Sequence, residues 1–232
     1  MRYQAILYLV VIAVLLMTWI VAMNLFDVQQ KTSNILAFSG LDKMKLGFQN
    51  DINQNEPQCS VSTVCPPNHF SIQLRSGTAN IIGPKICFDG KTIMSHVMNN
   101  VGRGLNIAVL NGETGAVEKF GYLNMRDGNS NEILAYLKEI KTGRIVLVAS
   151  YDDVAEKLTD KMREIFVEMG SSFITSVRTR DSWVFAGRAG TEQKSLFEKQ
   201  AVNDAKTNVY EGWPDMVEVS GCFPRTETVV KN

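Results

Sequence analysis

NNVGRGLNIAVLN, residues 99–111, decides how the chain is laid out. The Asn-Asn pair marks a turn and Gly102-Arg103-Gly104 a corner. Leu105–Leu110 then reads as a strand: short, nearly all apolar and bounded by turn residues. A glycine on each side of Arg103 opens backbone conformations closed to other residues and leaves the arginine uncrowded. Arg103 is thus expected at the lip of a sheet, where it faces either a ligand or only solvent. A phosphate-binding glycine loop is ruled out by order, because such loops follow a strand and open a helix, whereas this corner precedes a strand.

On the N-terminal side, short β-like runs fill His69 to about Met98. Phe70, Ile72 and Leu74 alternate with polar residues, as in a strand with one wet face. Ala79–Ile82, Lys85–Phe88 and Thr92–Met94 follow, and Asp89-Gly90 between the last two signals a hairpin. This half is expected to be antiparallel.

Beyond the corner, a second hairpin turns near 111–115 and returns through Ala116–Leu123. Asn129 with Glu132 has the form of a capping box, opening a helix to about Lys141 with Ile133, Leu134, Leu137 and Ile140 on one face. Arg144–Ser150 is a continuous apolar strand. Asp153 with Glu156 predicts a second cap, before a helix with Leu158, Met162, Ile165, Phe166 and Met169 as its inner stripe. Asp181–Arg188 is the next strand, with Trp183 expected in the core. This strand–helix–strand–helix–strand order predicts some parallel pairing. A short helix near Phe197–Val202 and a last strand ending at Cys222 complete the pattern.

Composition narrows the function. The 232 residues carry 24 basic and 24 acidic side chains, with no basic block, which excludes nucleic acid as the main partner. Arg2 is followed by no charge until Asp27, and Ala5–Met23 is almost wholly apolar. Residues 1–24 therefore read as a signal peptide cut near Ala22 or as a signal anchor; the rest then meets the secretory lumen. Residues 25–58 form a polar extension and 225–232 a loose tail. With 4 cysteines, Cys59, Cys65, Cys87 and Cys222, an oxidising compartment predicts two disulfides, in any of the three pairings. The spacing of Cys59 and Cys65 and only 2 histidines, His69 and His96, argue against a metal site. No cofactor is expected.

Candidate chemistry is sparse. Asp152 and Asp153 end a buried strand, where carboxylates do acid–base work, hold a hard cation or, for Asp153, cap a helix. Arg180 precedes the next strand and is expected on the same sheet edge as Asp152. No serine has a nucleophile-elbow setting, and both histidines are remote in sequence from the carboxylates, which argues against an enzyme.

Together NNVGRGLNIAVLNGETGAV, VLVASYDD, MGSS at 169–172, RDSWVF, KSLFEK and YEGWPD, with Glu218 and Gly221-Cys222, resemble the secreted proteins called "family with sequence similarity 3", the group of the interleukin-like EMT inducer and pancreatic-derived factor. The resemblance runs from about Cys59 to Pro224, and TGAV and VLVASYDD look most like its member D. It implies an α+β fold, a single compact β-β-α domain (59–224) of two sheets flanked by helices. It also implies pairing Cys59–Cys87 and Cys65–Cys222. The role it implies is non-enzymatic signalling, extracellular and directed at a cell-surface receptor. Self-association as a homodimer stays open, and a signal peptide, once cut, leaves no stable membrane insertion. The domain type, the GG domain, is also similar to the sugar-recognising stem module of the protein O-mannose N-acetylglucosaminyltransferase. That similarity implies carbohydrate contacts at Arg103, Asp152 and Arg180, a lectin-like alternative with a glycan as partner. A third reading, an anchored Golgi enzyme or its accessory, requires an uncleaved N-terminus. The chain departs from the family pattern at Leu196 for Pro, Asp215 for Glu, and Leu123–Arg126, LNMR, for FDMW.

Overall fold

A computed structural model describes residues 16–19, 59 and 64–226. The chain divides into two compact units, Met1–Asp51 and Ile52–Asn232. In the first, residues 16–19 are helical; the expected signal or anchor segment and the polar extension otherwise fall outside the described residues.

The second unit has three layers. Strands β1 (His69–Arg75), β2 (Lys85–Phe88), β3 (Lys91–Ser95) and β9 (Glu218–Pro224) form one sheet in the order β3-β2-β1-β9. The other sheet holds β4 (Gly104–Leu110), β5 (Val117–Leu123), β6 (Ile145–Tyr151), β7 (Ser182–Arg188) and β8 (Phe197–Ala201), ordered β5-β4-β6-β7-β8. Two helices, α1 (Ser130–Lys138) and α2 (Asp160–Glu168), cover its outer face. The chain is thus α+β, two antiparallel sheets with flanking helices.

Side-chain alternation builds two cores from this order. Phe70, Ile72 and Leu74 of β1 meet Ala108, Leu110, Leu147, Val184 and Ala186 between the sheets. On the other face Leu105, Ile107, Val146, Val148, Trp183 and Phe185 meet Ile133, Leu137, Met162 and Phe166 of the helices. Strands β4, β6 and β7 are therefore apolar on both faces, which is why they read as continuous runs. Burying one large apolar side chain of this kind contributes about 1.5–3 kcal/mol. Trp183 is fully buried, stacked on Phe185 and edge-on to Phe166.

Among the described residues the expected parallel pairing is absent: β4–β6 and β6–β7 both pair antiparallel. Helix α2 carries the chain away from the end of β6, and the stretch from Gly170 to Asp181 brings it back. Strand β7 thus starts beside the end of β6, which an antiparallel pair requires. Phe197–Ala201 is a strand and not a helix. Alternation explains it: Phe197 and Ala201 pack between the sheets, while Glu198 and Gln200 turn to the other face and accept from Trp183 Nε1 and donate to Asp181 Oδ2. Ala79–Ile82 is a turn closed by the Thr78–Ile82 bridge.

Caps also differ in detail. Asn129 caps α1, accepting from Asn131 N–H, and the helix ends at Lys138. Thr159, not Asp153, caps α2; Asp153 accepts from Ala155 N–H and closes a local turn instead. The Asp89-Gly90 hairpin forms with both residues at positive φ, 48° and 78°. The expected loose tail begins later than Arg225, because Arg225 N–H donates to Asn68 O and Thr226 N–H to Gly112 O. Cys59 is joined to Cys87 and Cys65 to Cys222.

Candidate functional site: an arginine-rich sheet rim

Gly104 and Tyr151 are opposed across the β4–β6 ladder, which puts Arg103 and Asp152 side by side at the sheet's rim. Arg103 Nε lies 3.2 Å from Asp152 Oδ2, with the arginine side chain 49% exposed and the carboxylate 10%. The corner is rigid. A Cβ on Gly102 would sit 2.4 Å from the Tyr122 ring, and one on Gly104 (φ 103°) 2.2 Å from Leu123 O. Asn106, fully buried, accepts from Gly102 N–H and donates to Gly102 O. Asp152 takes a positive φ of 59°, and its N–H meets Ala79 O in the neighbouring loop.

Arg180 arrives from β7, which starts beside the end of β6. It also has a positive φ, 64°. Its turn is held by Asp181, a buried carboxylate that accepts from Arg178 N–H, Asn203 N–H and Gln200. The Arg180 guanidinium lies 5.0 Å from the centre of the Trp213 ring. The structure therefore joins Arg103 to Asp152 and stations Arg180 on the same edge, engaged with Trp213. The Arg103–Asp152 ion pair and the Arg180–Trp213 stack are two separate contacts on this edge, and charge-assisted donors, a carboxylate and an aromatic ring are groups that suit a hydroxyl-rich or acidic ligand. Two concavities on the helical face, of about 470 and 580 Å³, contain none of these residues. Among the described residues no group of three His, Cys, Asp or Glu side chains could hold a metal ion.

The sequence reading missed Trp213, Asn106 and Glu198. Glu198 accepts from Trp183 Nε1 at 2.9 Å, from Ser172 N–H at 2.6 Å and from the Ser171 hydroxyl, fastening the segment after α2 to β8. The signals for Trp213 and Glu198 in the sequence are the Trp213-Pro214 pair of YEGWPD and the polar residues of KSLFEKQ once that run forms a strand.

Residues 103–191 match the family model described as "Interleukin-like EMT inducer". The chain is 42% identical over 223 residues to Protein FAM3C of Rattus norvegicus, covering 94% of this chain and 95% of that protein. It is 41% identical over 220 residues to Protein FAM3C of Homo sapiens, with coverage of 94% and 95%. Protein FAM3D of Homo sapiens is 40% identical over 225 residues, with coverage of 97% and 98%. A disulfide-linked β-β-α domain with this degree of likeness over nearly its whole length defines the class: the chain belongs to the FAM3 family of interleukin-like proteins. Identities to the C-type and D-type relatives are similar, so they do not single out the member D that the 114–153 motifs resemble.

Proposed function

We propose that the protein is a secreted cytokine- or hormone-like ligand that acts through a cell-surface receptor, without catalysis. The observation that carries this reading is the near-complete coverage of the FAM3C and FAM3D relatives at about 40% identity, together with the match of residues 103–191 to the interleukin-like EMT inducer model. The two disulfides fit an extracellular setting. The rim carries arginine donors, one carboxylate and an aromatic face, equipment for binding and not for proton relay. Applied to intact responsive cells, purified protein is expected to change signalling in a dose-dependent way. Mass spectrometry of the secreted product supplies the companion test: a new N-terminus near Ala22 supports release, and an intact Met1 in a membrane-retained product favours the anchored alternative.

A second reading is supported by the Arg180–Trp213 stack and the Arg103–Asp152 pair on the same sheet edge. It makes the rim a lectin-like site, with carboxylate and guanidinium groups bonding sugar hydroxyls and Trp213 presenting a ring face. A glycan array tests it. Binding lost in Arg103→Ala and Asp152→Ala protein supports the site, and undiminished binding refutes it.

A further inference from the structure

At the end of the sandwich opposite Arg103, two arginines enter the mouth of the inter-sheet core from different sheets. Alternation places Arg188 on the inner face of β7 with Val184 and Ala186, and Arg225 continues the inner face of β9 past Phe223. The Arg225 guanidinium lies 4.1 Å over the Phe70 ring and that of Arg188 5.7 Å over the Phe223 ring. Phe70 and Phe223 are direct partners across β1 and β9, where opposed Cβ atoms lie about 5 Å apart. The two guanidinium groups therefore stack on neighbouring rings. A second link is a hydrogen bond: Arg188 Nη2 donates to the carbonyl of Pro224, the residue before Arg225.

The pair is held in advance of any ligand. Backbone bonds of 2.8 Å on both sides of Arg225, to Asn68 O and Gly112 O, fix its place. Yet neither arginine forms an ion pair among the described residues, and the Nε of each is buried with no acceptor among them. Arg144, nearby on the same end, is different, since Glu118 neutralises it at 2.8 Å. Burial pulls the Arg188 pKa below its ordinary value, with no carboxylate acting to raise it. Two half-buried positive charges with no carboxylate paired to them among the described residues are an unfavourable arrangement unless an anion completes it. The planar fork of each guanidinium matches the oxygen spacing of a tetrahedral oxyanion.

We propose that Arg188 and Arg225 form an oxyanion site that takes a sulfate or phosphate group, either as an ester on a larger molecule or as the free ion. The test titrates the full-chain protein, purified from expressing cells, with sodium sulfate and with sodium phosphate against sodium chloride of equal ionic strength. Arginine Nε–Hε NMR signals report binding. Two signals, identified by their disappearance in Arg188→Lys and Arg225→Lys proteins, are expected to shift saturably with sulfate and phosphate and not with chloride. Each lysine variant is expected to bind at least tenfold more weakly, because lysine keeps the charge and loses the fork, while Arg144→Lys binds as the parent does. If one variant fails to fold, the other decides. Displacement of sulfate by a sulfated oligosaccharide, but not by its desulfated form, assigns the ester as the source; its failure to displace assigns the free ion. Shifts that match chloride, or unchanged affinity in the lysine variants, overturn the proposal.

Discussion

Arg103 and Asp152 meet at 3.2 Å because Gly104 and Tyr151 are opposed in the β4–β6 ladder. The pair belongs to the sheet's register, and the flanking loops only present it. Because Arg103 is half exposed, the pair itself adds little stability, about 0.2–1 kcal/mol. Arg103→Ala is expected to move the denaturation midpoint only slightly while changing whatever the rim binds. A large loss of stability on denaturant titration would show instead that the pair is structural.

Gly104→Ala should behave in the opposite way. Its Cβ would meet Leu123 O at 2.2 Å and Met125 N at 2.6 Å, at a φ of 103° that alanine resists. The backbone atoms cannot yield, so a loss of about 2–4 kcal/mol is expected in equilibrium unfolding. A near-neutral result would mean that the corner relaxes freely.

Glu198→Ala leaves Trp183 Nε1 without its acceptor and frees the segment at Ser171–Phe173. Stranding a buried donor and breaking a charged network costs about 3–5 kcal/mol. The buried Trp183 should also lose part of its near-ultraviolet circular dichroism, and Glu198→Gln should recover some of both. Retention of the full signal in Glu198→Ala protein would contradict the network.

Tyr136 is half-buried, and its hydroxyl, shielded from solvent, has no partner among the described residues. Burial, the larger cause, and nearby Glu139 raise its pKa above the ordinary value of 10.0. The folded state then holds the proton more tightly than the unfolded state. Its contribution is fully present below about pH 10 and is lost as pH climbs toward the raised folded value. In an alkaline ultraviolet titration one tyrosine should ionise only as the protein unfolds, and Tyr136→Phe should remove that step at a stability change within about 1 kcal/mol. Ionisation of every tyrosine near pH 10 in folded protein would refute this.

The disulfides close loops of very different reach, with sequence separations of 28 for Cys59–Cys87 and 157 for Cys65–Cys222. On the loop-entropy argument each contributes about 3–5 kcal/mol, the longer one more. Replacing Cys65 and Cys222 together by serine should lower the melting temperature more than replacing Cys59 and Cys87. The reverse order would show that local packing outweighs loop length.

Much of this architecture is readable from residues. The alternation of Phe70, Ile72 and Leu74, the unbroken apolar runs of β4, β6 and β7, and the Asp89-Gly90 turn each express a local rule. What local rules cannot express is where a connection returns. The stretch from Gly170 to Asp181 reverses the second crossover and so changes parallel into antiparallel pairing. Phe197–Ala201 has helical composition, yet an open β7 edge and the Trp183 indole select the strand. At the rim, strand ends allow Arg103, Asp152 and Arg180 to be placed together, but Trp213, which engages Arg180, comes from far along the chain and no spacing rule points to it.

On the proposed function, this protein is recognised at the surface of responsive cells. Labelled protein incubated with intact cells measures it most directly. The account predicts binding that saturates, is displaced by excess unlabelled protein and marks particular cell types. Binding that rises linearly with concentration and ignores unlabelled competitor on every cell type would contradict it.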